Sequence, residues 1–413
     1  DLDNGFLPAL ANNRTYLILK QINHPITQKL LHDDKNNVAP RIGFAWSVDD
    51  RTVVRGAYGL FFDAGLLLAN TALYFNPPQF VIRVFFPTAT SLLTLSDPFP
   101  RTGGITPPAS LSTLAKDATT AYMPHWNFSV QRTVARGTAT LSYAGSQGRH
   151  LLRSRDLNQP TPAAGDLAPR RPYPAFANVF YTESGASSVY HSLQASYQRP
   201  LAQRWSLLAA YTYSKSIDDA SAFLGTRGDK NFPQDSRDFR AERGLSSFDQ
   251  RQRATAALVW RAPAKIETSV LASAASGQPF TPLLRFDNSN TGNSGGQFGN
   301  DRPDILRSPS LANPGPNAWF DTAAFAVPGR YRFGSAGRNI LTSPGLASVD
   351  ASVARGFKLG ERVALQVEAQ AFNLFNRTNF DLPERFADEP STFGRIFSAK
   401  APRQMQFSLR LSF

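Results

Sequence analysis

The 413-residue chain contains no cysteine. That excludes structural disulfides and thiolate metal sites. It is compatible with an oxidising compartment such as the periplasm or the cell surface. Long apolar runs are missing too. No stretch of 18 apolar residues occurs, so no helical membrane span is expected. The richest run, residues 64–75, is short and is broken by Asn70 and Thr71. Histidine is scarce, and its five positions show no metal-ligand spacing. No glycine-rich phosphate cradle follows a strand and opens a helix. No GxSxG elbow is present. The sequence therefore predicts no enzyme, no cofactor and no metal centre.

Aromatic residues are abundant, with 31 Phe and 12 Tyr. They suit strands and interfacial girdles. The net charge of +13 comes mostly from arginine. The basic residues are spread over the chain without a cluster or a basic helix, so nucleic acid is not an expected partner. A lumen lining and anionic lipid headgroups are the expected places for them.

The last eleven residues, RQMQFSLRLSF, set the pattern. Met405, Phe407, Leu409, Leu411 and Phe413 alternate with Gln404, Gln406, Ser408, Arg410 and Ser412. One face is apolar and the other polar, which is the period of a strand. Its length suffices for a tilted strand to cross a bilayer. The same alternation recurs upstream in five hairpins. Ile42 to Val48 turns at Asp49-Asp50-Arg51 into Thr52 to Phe62. Trp126 to Val134 turns at Ala135-Arg136-Gly137 into Ala139 to Tyr143, with Gly137 the residue suited to positive φ. His191 to Tyr197 turns at Pro200 to Gln203 into Trp205 to Tyr213. Arg253 to Trp260 turns at Arg261 to Ala264 into Ile266 to Ala274. Ala347 to Phe357 turns at Leu359 to Glu361 into Val363 to Phe375.

Short turns thus alternate with long excursions at 63–125, 145–188, 215–248, 286–346 and 376–402. Such connections are uncommon in soluble domains. Short periplasmic turns and long extracellular loops are the rule in outer-membrane barrels. No repeat of propeller length occurs. The expected fold is all-β: an antiparallel transmembrane β-barrel with about 11 to 12 strands over residues 38–413. Residues 1–37 read as loop with a possible short strand at 15–20. Residues 278–285 are a possible strand extension, and 64–75 a possible short helix.

Several segments resemble Oar-like TonB-dependent receptors. They are the hairpin NNVAPRIGFAWSVDDRTVVRGAYGLFFD, the segment SLQASYQRPLAQRWSLLAAYTYSKSIDDAS, the loop FPQDSRDFRAERGLSSFDQRQR and the strand exit EAQAFNLFNRTNF. The likeness covers roughly residues 36–413. It implies a transporter in the outer membrane of a Gram-negative bacterium, with a 22-stranded barrel. An N-terminal domain plugs that barrel, and the TonB complex drives uptake of an extracellular solute. No plug and no TonB-contacting segment are recognisable, and residues 1–10 do not read as a signal peptide. The chain is therefore expected to be the C-terminal half of such a barrel. A surface protein acting in adhesion or cell–cell contact, a passive pore, and a secreted glycan-binding β-protein are the alternatives.

Two sets of residues are singled out. Phe232, Asp235, Arg237, Phe239, Arg240, Glu242 and Arg243 lie in one charged loop and are candidates to contact a polar solute. The plainer reading is that they pack the loop through ion pairs. Phe407, Leu409, Leu411 and Phe413 form the aromatic-ended strand. Resemblance to outer-membrane proteins implies that the barrel-assembly machinery reads it, with outer-membrane lipid against its apolar face. The run from Asp287 to Asp301 has oxygen ligands but not the spacing of a calcium loop.

Overall fold

Ala135 and Arg136 both adopt the left-handed conformation, with φ of 51° and 64°. That is the geometry of a two-residue hairpin turn whose twist matches its flanking strands. The expectation had placed the positive φ at Gly137, but Gly137 serves close approach instead. A Cβ there would lie 2.6 Å from the Tyr197 hydroxyl and 2.8 Å from the Gln198 carbonyl oxygen. The next hairpin but one turns the same way, through Ala264 and Lys265 at φ 63° and 59°.

The computed structural model describes residues 36–63, 108–115, 117–202, 204–222, 231–293, 301–360 and 363–413, with isolated positions between 76 and 99. The expected strand at 15–20 and helix at 64–75 lie outside the described residues. Eleven strands form one sheet in chain order, each antiparallel to the next. They are β1 (Arg41–Asp49), β2 (Thr52–Asp63), β3 (Ala121–Val134), β4 (Gly137–Asp156), β5 (Val179–Ala202) and β6 (Trp205–Asp218). The series continues with β7 (Gln252–Ala262), β8 (Ile266–Ala275), β9 (Leu346–Lys358), β10 (Ala364–Phe372) and β11 (Gln404–Ser412). Two short segments join this sheet at the ends of inner strands. Leu111–Leu114 runs parallel to the start of β5, and Gly244–Leu245 pairs with the end of β6. Among the described residues β1 pairs only with β2, and β11 only with β10, so the sheet does not close.

Register keeps the two faces apart across the sheet. Phe44, Gly56, Phe128, Tyr143, Leu193 and Tyr213 lie side by side in one row. The next row is Ala45, Arg55, Ser129, Ser142, Gln194 and Thr212. At the other end Val367 pairs with Leu409, while Glu368 pairs with Ser408. A one-residue slip would reverse every one of these positions. The apolar face is exposed: Phe407 is 74% and Leu409 75% accessible. The buried positions along the middle of β5 and β6 are instead small and polar, among them Ser192, Ser214 and Ser216. This is the inverse of a soluble sheet, in which the apolar face is the one covered. Trp205 pairs with Trp260 near the short turns, and Tyr58 with Trp126 toward the other end. Arg199 lies over Trp205 at 3.6 Å. Aromatic rows at two levels are what a barrel places at its two membrane interfaces.

Strands β4 and β5 run further than the alternation indicated. With 20 and 24 residues they are about twice the length a tilted strand needs to cross a bilayer. Their pairing slips on either side of Leu151, and His150 takes a φ of 54°. That bulge breaks the period of two and hides the extension from sequence reading. The connection between them is therefore 157–178, not 145–188. The described parts of the segments at 276–345 and 373–403 are folded rather than stretched. Phe280, Phe320, Phe325, Leu341 and Phe393 form a core outside the sheet, with the Phe320 and Phe393 rings edge to face at 5.0 Å. The possible strand extension at 278–285 belongs here. Pro279–Phe280 pairs with Leu341–Thr342, and Leu283 bridges Phe386. Asn158, fully buried, holds a second layer together: its Nδ2 lies 2.6 to 3.0 Å from the carbonyls of Tyr173, Phe176 and Ala177.

Candidate loop site

Strand β6 ends at Asp218, which is 1% exposed. A carboxylate at that depth needs a partner. Arg338 supplies it, pairing with the Asp218 carboxylate and donating to the Asp218 carbonyl at 2.9 Å. Arg338 Nε also donates to the Glu242 carbonyl at 2.7 Å. The Glu242 side chain is itself buried against Arg302. Its Oε1 accepts from the Gln234 amide at 3.2 Å. Two buried ion pairs thus clamp the loop 231–245 between β6 and the segments at 302 and 338.

The candidate residues divide on this frame. Glu242 is committed to Arg302, and not to its sequence neighbour Arg243. Phe239 lies beneath Arg153, whose guanidinium carbon is 3.5 Å from the ring centre. Phe232 stands edge-on to Phe180 at 5.8 Å. Asp235 accepts from Arg237 Nε at 2.7 Å and from the Arg237 amide at 3.0 Å. Arg237, Arg240 and Arg243 are exposed. Of the seven, Arg237 alone lines a described cavity. That cavity holds about 310 Å³ and is bounded by Arg155, Gln159, Thr161, Arg170, Ser236 and Arg237, with Asp156 and Pro172. Its walls are fixed: the Ser236 amide donates to Gln159 Oε1 at 2.7 Å, and the Asp156 amide donates to Ser236 Oγ at 3.0 Å. Arg155, Gln159 and Arg170 were not anticipated. The available signal was Arg153 and Arg155 at a spacing of two, which places both on one face of a strand.

A larger depression of about 860 Å³ lies elsewhere, over Ala195, Ala209, Ala254, Ala272 and Ala347. Those residues belong to the apolar face, so it is not part of the loop site.

Asp287 and Asp301 hold the segment whose Asn293 Oδ1 accepts from Gln159 Nε2 of the cavity wall at 3.1 Å. Asp287 accepts from the amides of Thr291 and Gly292 at 2.9 and 2.6 Å. Asp301 accepts from the Ser289 amide, Ser289 Oγ and Asn293 Nδ2 at 2.6 to 3.1 Å. Among the described residues no group of three or more His, Cys, Asp or Glu side chains is placed to hold a metal ion. Burial raises the Asp301 carboxyl from 3.8 to about 6, opposed by the three hydrogen bonds and helped by the Asp287 charge. A folded pKa above the unfolded value means the native loop binds the extra proton. The contribution of this one carboxyl to stability is then fully present below about pH 4 and is lost as pH rises through 6, on the order of 3 kcal/mol in all. Hydrogen exchange over 287–293, corrected for intrinsic rates, should show more protection at about pH 4.5 than at about pH 7.5. Equal protection would mean that Asp301 is not buried as described.

The outer membrane beta barrel domain family model matches residues 2–406. The chain belongs to that family. The domain resides in the outer membrane of a Gram-negative bacterium, and its apolar sheet face is the lipid face. No curated protein matches it. Among solved structures it is similar to the outer membrane transporter YddB from Escherichia coli, at 10% identity and a TM-score of 0.51. It is also similar to the ferric enterobactin receptor PfeA of Pseudomonas aeruginosa, at 13% identity and a TM-score of 0.47. FpvA of P. aeruginosa, described in complex with iron and pyoverdine, gives 10% and 0.45. The alignments cover 91% of this chain and 40%, 40% and 32% of those chains, respectively. The barrel domain therefore spans well under half the length of these neighbours, and the likeness is one of fold.

Proposed function

We propose that the barrel domain is part of a TonB-dependent outer-membrane receptor, which captures a solute with the long loops and passes it through a plugged lumen. The observation that carries this reading is the ordered loop layer. A passive pore needs an open mouth, whereas here five long-side segments share two apolar clusters and two buried ion pairs. Strand parity supports a larger barrel. With eleven strands, β1 and β11 run in the same direction, so all-antiparallel closure needs an odd number of further strands. A 22-stranded barrel meets that condition and is wide enough to hold a plug. The resemblance to Oar-like receptors and the fold likeness to a transporter agree with it. On this reading the long loops are extracellular, and the barrel-assembly machinery contacts the exposed edge carrying Phe407, Leu409, Leu411 and Phe413.

The test compares cells that express or lack the full-length gene, each with and without TonB. Depletion of solutes from the medium is followed by mass spectrometry. At least one solute should disappear only when both proteins are present. If the gene changes cell aggregation and no solute depends on TonB, the adhesion reading replaces this one.

A further inference from the structure

The cavity beside the clamped loop is lined by three arginines and one carboxylate. Their hydrogen bonds show which charges are already met. Asp156 is fully committed: Oδ1 accepts the amides of Asn158 and Val179, each at 2.8 Å, and Oδ2 accepts Asn178 Nδ2 at 2.7 Å. Of the three arginines, Arg155 and Arg237 each share their charge with one carboxylate, Glu183 and Asp235, and Arg170 pairs with none among the described residues. Arg170 donates only to backbone carbonyls, those of Thr161, Gly165, Asp166 and Asn290. Among the described residues no carboxylate pairs with it, so its side chain is held in place while its charge is left standing. Arg155 gives Nη2 to Glu183 at 3.0 Å and Nη1 to the Ser236 carbonyl at 3.4 Å, but its Nε is buried without any acceptor. A buried donor of that kind is costly unless a ligand or water meets it. Arg237 spends Nε on Asp235, and no described acceptor takes its two terminal nitrogens. Three guanidinium groups around one small cavity, each with donors left over, suit multiply charged oxyanions: Arg237 can give both terminal nitrogens as a parallel pair, and Arg170 one remaining Nη1 hydrogen.

We propose that this cavity is an anion subsite of the receptor, taking a carboxylate- or phosphate-bearing group of the captured solute between Arg155, Arg170 and Arg237. The inference rests on the receptor reading for its biological role, though not for its chemistry. Its volume of about 310 Å³ is at the small end for a ligand site. It therefore takes a small polyanion whole, or one charged arm of a larger molecule. Carbonyl anchoring of Arg170 removes most of the entropy that ordering a long side chain would otherwise cost on binding.

The test uses the full-length protein in detergent at low ionic strength. Citrate and pyrophosphate are titrated separately by calorimetry, with glycerol as the uncharged comparison. Saturable binding of citrate, pyrophosphate or both is expected, and none of glycerol. Arg237→Gln should weaken it about tenfold or more, the loss expected for one charge-assisted contact. Arg170→Gln should do at least as much. Because Arg170 also ties down its loop, Arg237→Gln is the decisive variant. Arg330→Gln, an exposed loop change of the same net charge, should leave the affinity unchanged. The proposal is overturned if neither anion saturates, or if Arg237→Gln and Arg330→Gln behave alike. TonB-dependent uptake is scored separately in cells. Anion binding without such uptake removes the receptor reading and keeps the site; uptake with no anion binding removes the site alone.

Discussion

Replacing Arg338 with methionine is expected to unfold much of the loop layer while leaving the strands paired. The reason is the depth of what Arg338 satisfies. Asp218 is 1% exposed, and the Arg338 side chain pairs with its carboxylate, its carbonyl and the Glu242 carbonyl. Removing one partner of a buried pair leaves an uncompensated charge, at a cost of about 3–5 kcal/mol. Three segments lose their common tie at once: the end of β6, the loop at 242 and the loop at 338. Hydrogen exchange and limited proteolysis over 231–245 should report the loss, with protection in β7 and β8 retained. Arg338→Lys keeps the charge without the forked geometry and should fall between the two. Wild-type protection in Arg338→Met would show that the pair does not hold the layer.

The second large effect separates two adjacent residues. Phe128→Arg should destabilise the barrel by about 1–2 kcal/mol, the cost of a cation on the lipid face between the interface and mid-membrane. Asn127→Arg, one position earlier, should cost far less. Phe128 lies mid-strand in the apolar row between Gly56 and Tyr143, while Asn127 lies between Ala57 and Ala144 on the opposite face. Folding into vesicles, followed by denaturant titration, measures both. Similar losses at the two positions would remove the assignment of faces.

The strands were legible because each residue carries its own evidence. Alternation in Ile42 to Val48 and Met405 to Phe413 needs no knowledge of what packs against it, and the turns at Asp50 and Leu359 fell where the pattern paused. Legibility failed where the backbone departs from period two. The bulge at His150 made the outer halves of β4 and β5 read as loop. It failed again where partners are distant in sequence. Asp235 and Arg237 pair locally, as their spacing suggested. Glu242 finds Arg302 and Asp218 finds Arg338, 60 and 120 residues away. The cavity follows the same rule. Arg155, Arg170 and Arg237 come from a strand, a short helix and a loop, and only the fold brings them together.

These 413 residues hold no cysteine, so single labels can be placed in them once any cysteine elsewhere in the full-length protein is replaced. Single cysteines at Gln404 through Leu411 of β11 carry a spin label, in the full-length protein in lipid vesicles. Collision with oxygen, which concentrates in lipid, is compared with collision with a water-soluble nickel complex. Positions 405, 407, 409 and 411 should favour oxygen, and 404, 406, 408 and 410 the nickel complex, alternating along the strand. Uniform water exposure, or oxygen preference on the Gln404–Arg410 face, would contradict a membrane barrel with its apolar face toward lipid.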